Sequence, residues 1–474
     1  MNKKFYITAA IPYVNAAPHL GHTLEFIQAD VLARYHELLD EKVILLSGAD
    51  ENAQKNVQAA KENNISPQKW CDINSQKFYH LKTLLNLTDN FVFQRSSEKN
   101  HYLASQELWN LCKKEDIYLK KYKGFYCLGC EAFITEKELI NGCCPEHPNQ
   151  KPKVVEEENY FFKLSYYQEF LKEKIKNNEI EIIPEKRKHE VLSFIERGLE
   201  DFSISRSAQR MGGWGIPVPG DPKQIIYVWF DALNVYQSGV GFGWDEKKYQ
   251  QWWPADIHCI GKGILRFHAI YWPAILKSAG LKLPKKIFVH GYLTIEGKKI
   301  SKSLGNVISP DEVVNKYGTD ALRYFLLKTI HPYQDGDFSW KLFNEVYNAD
   351  LANGIGNLTQ RVSKLAEKIN LEGKSINSKH KLNTNLFIDL FQFNKGLTSI
   401  WEMITNLDKY INVQKPWEKT GKELADILQK PIAELLEIAY LLKPFLPQTA
   451  EKIKKIFTAK KIIAPKEILF PRIN

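Results

Sequence analysis

P-H-L-G-H-T-L-E-F-I-Q-A-D-V-L-A-R-Y-H-E-L-L, Pro18 to Leu39, decides how the first hundred residues must fold. Upstream, Phe5 to Ala10 is a short apolar run of strand type. Downstream, Leu24, Phe26, Ile27, Val31, Tyr35 and Leu38 recur at helical spacing. A strand therefore turns into a helix at His19-Leu20-Gly21-His22. The first N–H groups of a helix lack carbonyl partners, and together with the helix dipole they favour an anion. Gly21 lets a flat or charged ligand come close to the main chain. Taken singly, each histidine reads as an ordinary turn residue, so the pair needs support from elsewhere in the chain.

The next segments repeat the pattern. Lys42 to Ser47 is a second buried strand, followed by the turn G-A-D-E-N-A and another helix. Alternating strands and helices over residues 1–112 predict an α/β fold with a doubly wound parallel sheet of Rossmann type, whose ligands gather at the carboxyl ends of the strands. From about Tyr118 the character changes to short strands, cysteines and polar turns, closed by G-G-W-G-I-P-V-P-G-D-P (Gly212 to Pro222). The α/β pattern resumes with I-I-Y-V-W-F-D-A, D-I-H-C-I-G-K and K-I-F-V-H-G, so an insertion splits the sheet domain. After Asn344 the chain is almost entirely amphipathic helix, an all-α bundle with turns at Lys415-Pro416 and Lys443-Pro444. Five segments follow: the first half of the sheet domain over 1–117, the insertion over 118–222, and the second half over 223–295. A connector spans 296–345 and the helical domain 346–474.

At 474 residues the chain exceeds one core. Hydrophobic residues at 44% and charged residues at 25% describe a soluble globular protein, and a net charge of +10 suits a polyanionic partner. The basic start M-N-K-K-F-Y-I-T-A-A-I-P-Y-V-N mimics a signal peptide. Pro12 and Asn15 interrupt its apolar run, and cleavage would destroy the histidine turn. No run is long enough for a membrane helix. Of seven cysteines, four lie between Cys127 and Cys144, which predicts a metal site in a reducing cytoplasm rather than a disulfide framework.

Cys127-x₂-Cys130, thirteen residues, then Cys144-x₂-His147 gives two knuckles that converge on one tetrahedral Zn²⁺ per chain, a closed structural site. Cys143 competes, but Cys144 preserves the x₂ spacing to His147. A further motif, K-K-I-S-K-S-L-G-N (Lys298 to Asn306), sets lysines and serines beside Gly297 and Gly305, a loop able to wrap a polyphosphate.

With that pair of motifs on a split α/β domain, the sequence resembles the class I aminoacyl-tRNA synthetases and, within them, the methionyl branch. H-L-G-H is similar to the HIGH motif and K-I-S-K-S to the KMSKS motif, with Ile300 where methionine is usual. A-A-I-P-Y-V-N, Y-V-W-F-D-A-L, I-G-K-G-I-L-R-F-H-A-I-Y-W-P-A and F-V-H-G-Y-L follow in the branch's order, so the resemblance spans essentially the whole chain.

It implies activation of methionine by ATP, with Mg²⁺, followed by transfer to the 3′ end of tRNA(Met), initiator tRNA included. His19, His22, Lys299 and Lys302 would act on the phosphates, and Gly21, Gly261, Lys262 and Ser301 would complete the ATP site. Ile11, Tyr13, Asp50, Trp229, Ala232, Leu233, Tyr236, Ile264 and His268 would hold methionine: Asp50 takes the ammonium, aromatic rings meet the sulfur, and Tyr236 and His268 add weak hydrogen bonds to it.

Asn353, Asn357 and Arg361, on one helix face at i, i+4 and i+8, with Trp417 at the K-P-W turn, would read the CAU anticodon by stacking and edge hydrogen bonds. Two departures stand out: Asn52-Ala53 where His-Gly commonly follows Asp-Glu, and Gly263 where an acid often follows Gly-Lys. Leucyl, isoleucyl and valyl relatives need an editing insertion too large for the space between Leu119 and Pro222. A catalytically silent RNA-binding relative would not keep both signature motifs. A cytoplasmic monomer is expected.

Overall fold

A computed structural model describes residues 3–134, 136–145, 151–300, 305–374 and 384–473; of 137 and 384–386 it describes the backbone alone. His147, Ser301 and Lys302 lie outside the described residues. The chain divides into two compact units: Met1–Pro18, Glu41–Lys82 and Asp89–His290 form one, and His19–Asp40, Thr83–Thr88 and Gly291–Asn474 the other.

In the first unit the strands are β1 (Lys4–Ala9), β2 (Lys42–Ala49), β3 (Phe91–Arg95), β4 (Ile117–Cys127), β5 (Ala132–Ile134), β6 (Lys153–Phe162) and β7 (Glu181–Ile183). They continue with β8 (Phe202–Ser203), β9 (Ser205–Ser207), β10 (Pro217–Val218), β11 (Asp221–Ile226), β12 (Ile257–Gly261) and β13 (Lys286–His290). Six of them form one sheet in the order β3-β2-β1-β12-β13-β7, with every pairing parallel. Ile7 sits between Leu45 and Ile257. Strands covered on both faces read as continuous apolar runs, as V-I-L-L and I-F-V do. The order reverses between β1 and β12, so their carboxyl ends form a topological switch point, where ligands of such sheets bind. The core joins Tyr6, Leu46, Phe230, Trp272, Ile287 and Val289.

The doubly wound parallel sheet expected from the sequence is therefore present. The segment between the helix Lys99–Leu111 and β12 builds an antiparallel sheet, β5-β4-β6-β8, and a small one, β10-β11-β9. It is less separate than its composition suggests. β7, from within it, pairs with β13 and forms the edge of the parallel sheet.

The second unit contains the helix Leu20–Leu38, strands β14 (Leu293–Ile295), β15 (Lys298–Lys299) and β16 (Gly336–Phe338), and the helical tail. In the helix Phe393–Gln414, Phe393, Leu397, Ile400, Ile404, Leu407 and Ile411 are buried, the spacing of one apolar stripe. Asp30 ties the first helix to segment 83–88 and, through Arg323, to the tail. Its carboxylate accepts from Thr88 N (2.6 Å), Arg34 Nε (2.8 Å) and Arg323 Nη1 (2.8 Å). Arg323, fully buried, also donates to the carbonyls of Phe445 (2.7 Å) and Pro444 (2.9 Å).

Candidate active site

The histidine turn is a capping device. His19 is the N-cap of the helix Leu20–Leu38; its Nδ1 accepts from Gly21 N (3.1 Å), while His22 Nδ1 accepts from His19 N (3.2 Å). The two rings stack with centroids 3.9 Å apart. Burial lowers the pKa of His19 to about 4 and that of His22 well below its ordinary value, so both rings are neutral at pH 7. Because Nδ1 accepts in each ring, the remaining proton sits on Nε2, and the cap fixes two N–H donors of one tautomer. A Cβ on Gly21 would lie 2.9 Å from His19 Cε1, so the glycine makes room for the ring as well as for a ligand.

Lys299 is exposed on β15, which pairs with β14 through a two-residue turn, Glu296 and Gly297, both at positive φ (50° and 72°). That is the hairpin turn glycine favours. The Lys299 carbonyl accepts from Asn306 Nδ2 (3.0 Å), which ties the two ends of the loop.

At the carboxyl end of β1 and β2, Tyr13 bridges Asp50, whose N–H donates to Pro12 O (2.9 Å). Asp50 is 2% exposed, and among the described residues its Oδ1 has no hydrogen-bond partner; the same holds for Tyr13 OH. Burial first, then the nearby Asp231 carboxylate, raises the Asp50 pKa well above the ordinary carboxylate range. The Lys55 ammonium acts on this carboxylate through charge, and the open Oδ1 is a place for a further cation or donor.

Around it, Trp229 meets Tyr13 edge-on (6.1 Å between centroids) and stacks on Phe267 (3.8 Å, planes 3° apart). Ala232, Leu233 and Tyr236 follow on the buried helix Val228–Ser238. Ile264 ends the short turn after β12 that also carries Lys262, Gly261 closes that strand, and Ile11, partly buried, follows β1. His268 Nδ1 donates to Ile264 O (2.9 Å), and its Nε2 accepts from Tyr236 OH (2.8 Å). Burial holds this ring neutral, with a pKa of about 4. Both groups expected to donate to sulfur thus spend their protons on each other and on the main chain. The wall they form is aromatic and packed rather than hydrogen-bonding.

Two residues not foreseen from the sequence complete this wall. Phe267 backs Trp229, and Lys55 holds its ammonium 3.7 Å from the Tyr13 ring centroid while donating to Gly129 O (2.9 Å). Trp229 Nε1 donates to Cys130 O (3.2 Å), so the cysteine turn touches the pocket through both. Aromatic density in I-L-R-F-H-A-I-Y-W was a usable signal for Phe267; nothing local marks Lys55.

Sγ atoms of Cys127, Cys130 and Cys144 lie within 4.8 Å of one another, and the last two are 3.5 Å apart. Cys127 and Cys144 are buried. Cys143 falls in the turn Ile140–Cys143, closed by reciprocal backbone bonds of 2.9 and 3.0 Å, and is not in the cluster. Three converging thiols suit a soft tetrahedral ion, with one ligand left to supply.

In the tail, Arg361 donates to Asp408 Oδ1 (2.6 Å) and Asn412 Oδ1 (2.8 Å), with its guanidinium 5.8 Å from the Trp417 ring. Trp417 is 49% exposed. Asn357 begins the helix Asn357–Lys368. Asn353 does not share its face by simple α-helical counting: it lies in a π-helical stretch, Tyr347–Gly356, with a break at Gly354 (φ −84°, ψ −108°). The wider turn shifts the phase. Asn353 Oδ1 instead accepts from Arg472 Nε (2.7 Å).

The family model for tRNA synthetases class I (M) matches residues 5–151 and 146–363. The chain belongs to this family. Among relatives in the class I (M) synthetases, the methionine–tRNA ligase of Thermotoga maritima is 40% identical over 473 residues, covering 95% of this chain and 74% of its own. That of Thermosynechococcus vestitus is also 40% identical, with 96% and 90% covered. Mycobacterium tuberculosis methionyl-tRNA synthetase, solved in complex with methionyl-adenylate, superposes with a TM-score of 0.90 at 35% identity, covering 99% of this chain and all (100%) of the other. Its apo form gives 0.82 at 32% identity, covering 100% of this chain and 99% of the other.

Proposed function

We propose that this chain joins L-methionine to tRNA(Met) in two steps. A methionine carboxylate oxygen attacks the α-phosphorus of ATP, the bond to the β-phosphate oxygen breaks, and pyrophosphate leaves with methionyl-adenylate retained. The tRNA 3′-terminal hydroxyl then takes the methionyl group and releases AMP. The observation that carries this reading is the buried Asp50 carboxylate, with its Oδ1 open, at the carboxyl end of β2 beside the Tyr13–Trp229–Phe267 wall.

No protein nucleophile is required, so alignment and charge stabilisation do the work. Asp50 pairs with the substrate ammonium, and Ile11, Tyr13, Trp229, Ala232, Leu233, Tyr236, Ile264 and His268 surround the side chain. The neutral rings of His19 and His22 donate Nε2–H to phosphate oxygens. Lys299, Ser301 and Lys302 clamp the triphosphate, Gly21, Gly261 and Lys262 complete the nucleotide site, and Mg²⁺ accompanies ATP. Zinc would be held by Cys127, Cys130 and Cys144 with His147 and would serve folding of the knuckle. Asn353, Asn357, Arg361 and Trp417 read the anticodon of elongator and initiator tRNA alike. The enzyme acts as a cytoplasmic monomer. Among the described residues no helix is long and apolar enough to cross a membrane.

Trp417→Ala tests the division of labour. Losing one base–aromatic stack costs about 1–3 kcal/mol, roughly 5- to 150-fold in the tRNA term. Charging of tRNA(Met) should fall by that factor while adenylate formation continues at the wild-type rate. Equal losses in both steps would make Trp417 a packing residue.

A further inference from the structure

Asn52 occupies the position where the chain departs from the His-Gly pattern, two residues beyond Asp50. It is 1% exposed, and its Nδ2 donates both to Ser96 O (3.0 Å) and to Asp231 Oδ2 (2.7 Å). Asp231, with no exposure, sits in the first turn of the helix Val228–Ser238, two residues after Trp229 and one before Ala232. Its other oxygen accepts from His101 Nε2 (2.5 Å) and Ser105 Oγ (3.0 Å). His101 Nδ1 lies 2.7 Å from the hydroxyl of Ser238, the last residue of the same helix.

The helix that carries the Trp229–Tyr236 wall is thus gripped at both ends from the helix Lys99–Leu111. The Asn52 side chain ties it to the turn bearing Asp50. Serine, histidine and aspartate here have the composition of a hydrolytic triad. His101, Ser105, Asp231 and Ser238 are all fully buried, which excludes attack on a substrate.

We propose that Asn52, acting through Asp231, is a positioning residue of the amino-acid site that fixes the separation between the Asp50 carboxylate and the aromatic wall. The inference rests on the functional reading above, because that separation matters only to a ligand with a cation at one end and an apolar group at the other. A carboxylate is acceptor only, so Asp231 keeps its place by the donors around it, and among the described residues Asn52 is the one donor reaching it from the Asp50 turn. The turn has other hydrogen bonds besides those of Asn52. Glu51 N donates to Ser96 Oγ (2.8 Å), Trp214 Nε1 to Glu51 O (2.8 Å), and Asn56 Nδ2 to Asp50 O (2.9 Å).

Steady-state ATP–pyrophosphate exchange on Asn52→Ala and Asn52→Asp decides the matter. Asn52→Ala should raise KM for methionine about tenfold, the cost of one hydrogen bond to a charged group, and leave KM for ATP and kcat nearly unchanged. Asn52→Asp keeps the volume but sets an acceptor against Asp231. The ionisable groups around Asp231 are His101 in contact, with Tyr102 and Asp50 interacting through charge. A protonated carboxyl introduced at position 52 can donate to Asp231 and restore the link, whereas an ionised one repels it. The ratio of KM for methionine between this variant and the wild type should therefore grow with pH, a readout that loss of packing alone would not produce. If Asn52→Ala folds poorly, the isosteric Asn52→Asp carries the test. A wild-type KM for methionine in both variants, or a change confined to KM for ATP, overturns the inference. A wild type that exchanges with no amino acid overturns the functional reading itself and this inference with it.

Discussion

Asp50 carries the sharpest consequence at the scale of one residue. Its pKa is raised, chiefly by burial and then by Asp231, whereas an ammonium is held only by the ionised form. In the free enzyme kcat/KM for methionine should therefore fall as pH is lowered through that raised pKa and level off above it, and kcat, which reports the occupied site, should depend less on pH. A pH profile of kcat/KM that stays flat down to the ordinary carboxylate range would show that Asp50 does not take the ammonium. The histidines behave in the opposite manner. Their protons are placed by capping, not by titration, and with His19 at about 4 their ionisation lies outside the working range. The helix start in H-L-G-H already marks an anion site, but the protonation state of the two rings is not legible there. Burial and stacking, which a linear pattern does not express, make them neutral donors.

Elements with a period or a fixed spacing were legible. The strands of the parallel sheet appear as apolar runs, the tail helices as stripes, and the cysteine pairs by their x₂ spacing. What the sequence did not reveal involves contacts between segments far apart. β7 joins the main sheet from inside the insertion, and Asn353 loses its phase where a π-helical turn widens the helix. The cysteine turn illustrates both sides. Cys144 rather than Cys143 converges with Cys127 and Cys130, because the Ile140–Cys143 turn carries Cys143 away. With zinc bound there, Cys144→Ser should lose the metal and Cys143→Ser should keep it, as measured by metal content after purification without chelator. The reverse result would reassign the ligand. Since Gly129 O and Cys130 O hold Lys55 and Trp229, metal loss should also raise KM for methionine.

On the scale of the whole molecule, one buried ion pair links three segments of the second unit. Asp30 and Arg323 are fully buried and paired, and together they join the first helix to segment 83–88 and to the tail. Breaking such a pair leaves an uncompensated charge in the interior. Asp30→Ala should cost about 3–5 kcal/mol in urea unfolding. Asp408→Ala, which breaks the partly exposed pair with Arg361, should cost less than about 1 kcal/mol. Equal costs would mean that the buried pair is not what holds this unit together. Activation of methionine is measured by ATP–pyrophosphate exchange with each of the standard amino acids in turn. Robust exchange is expected with methionine and only weak exchange with the others. Exchange led by leucine, isoleucine or valine, or none with any amino acid, would contradict that expectation.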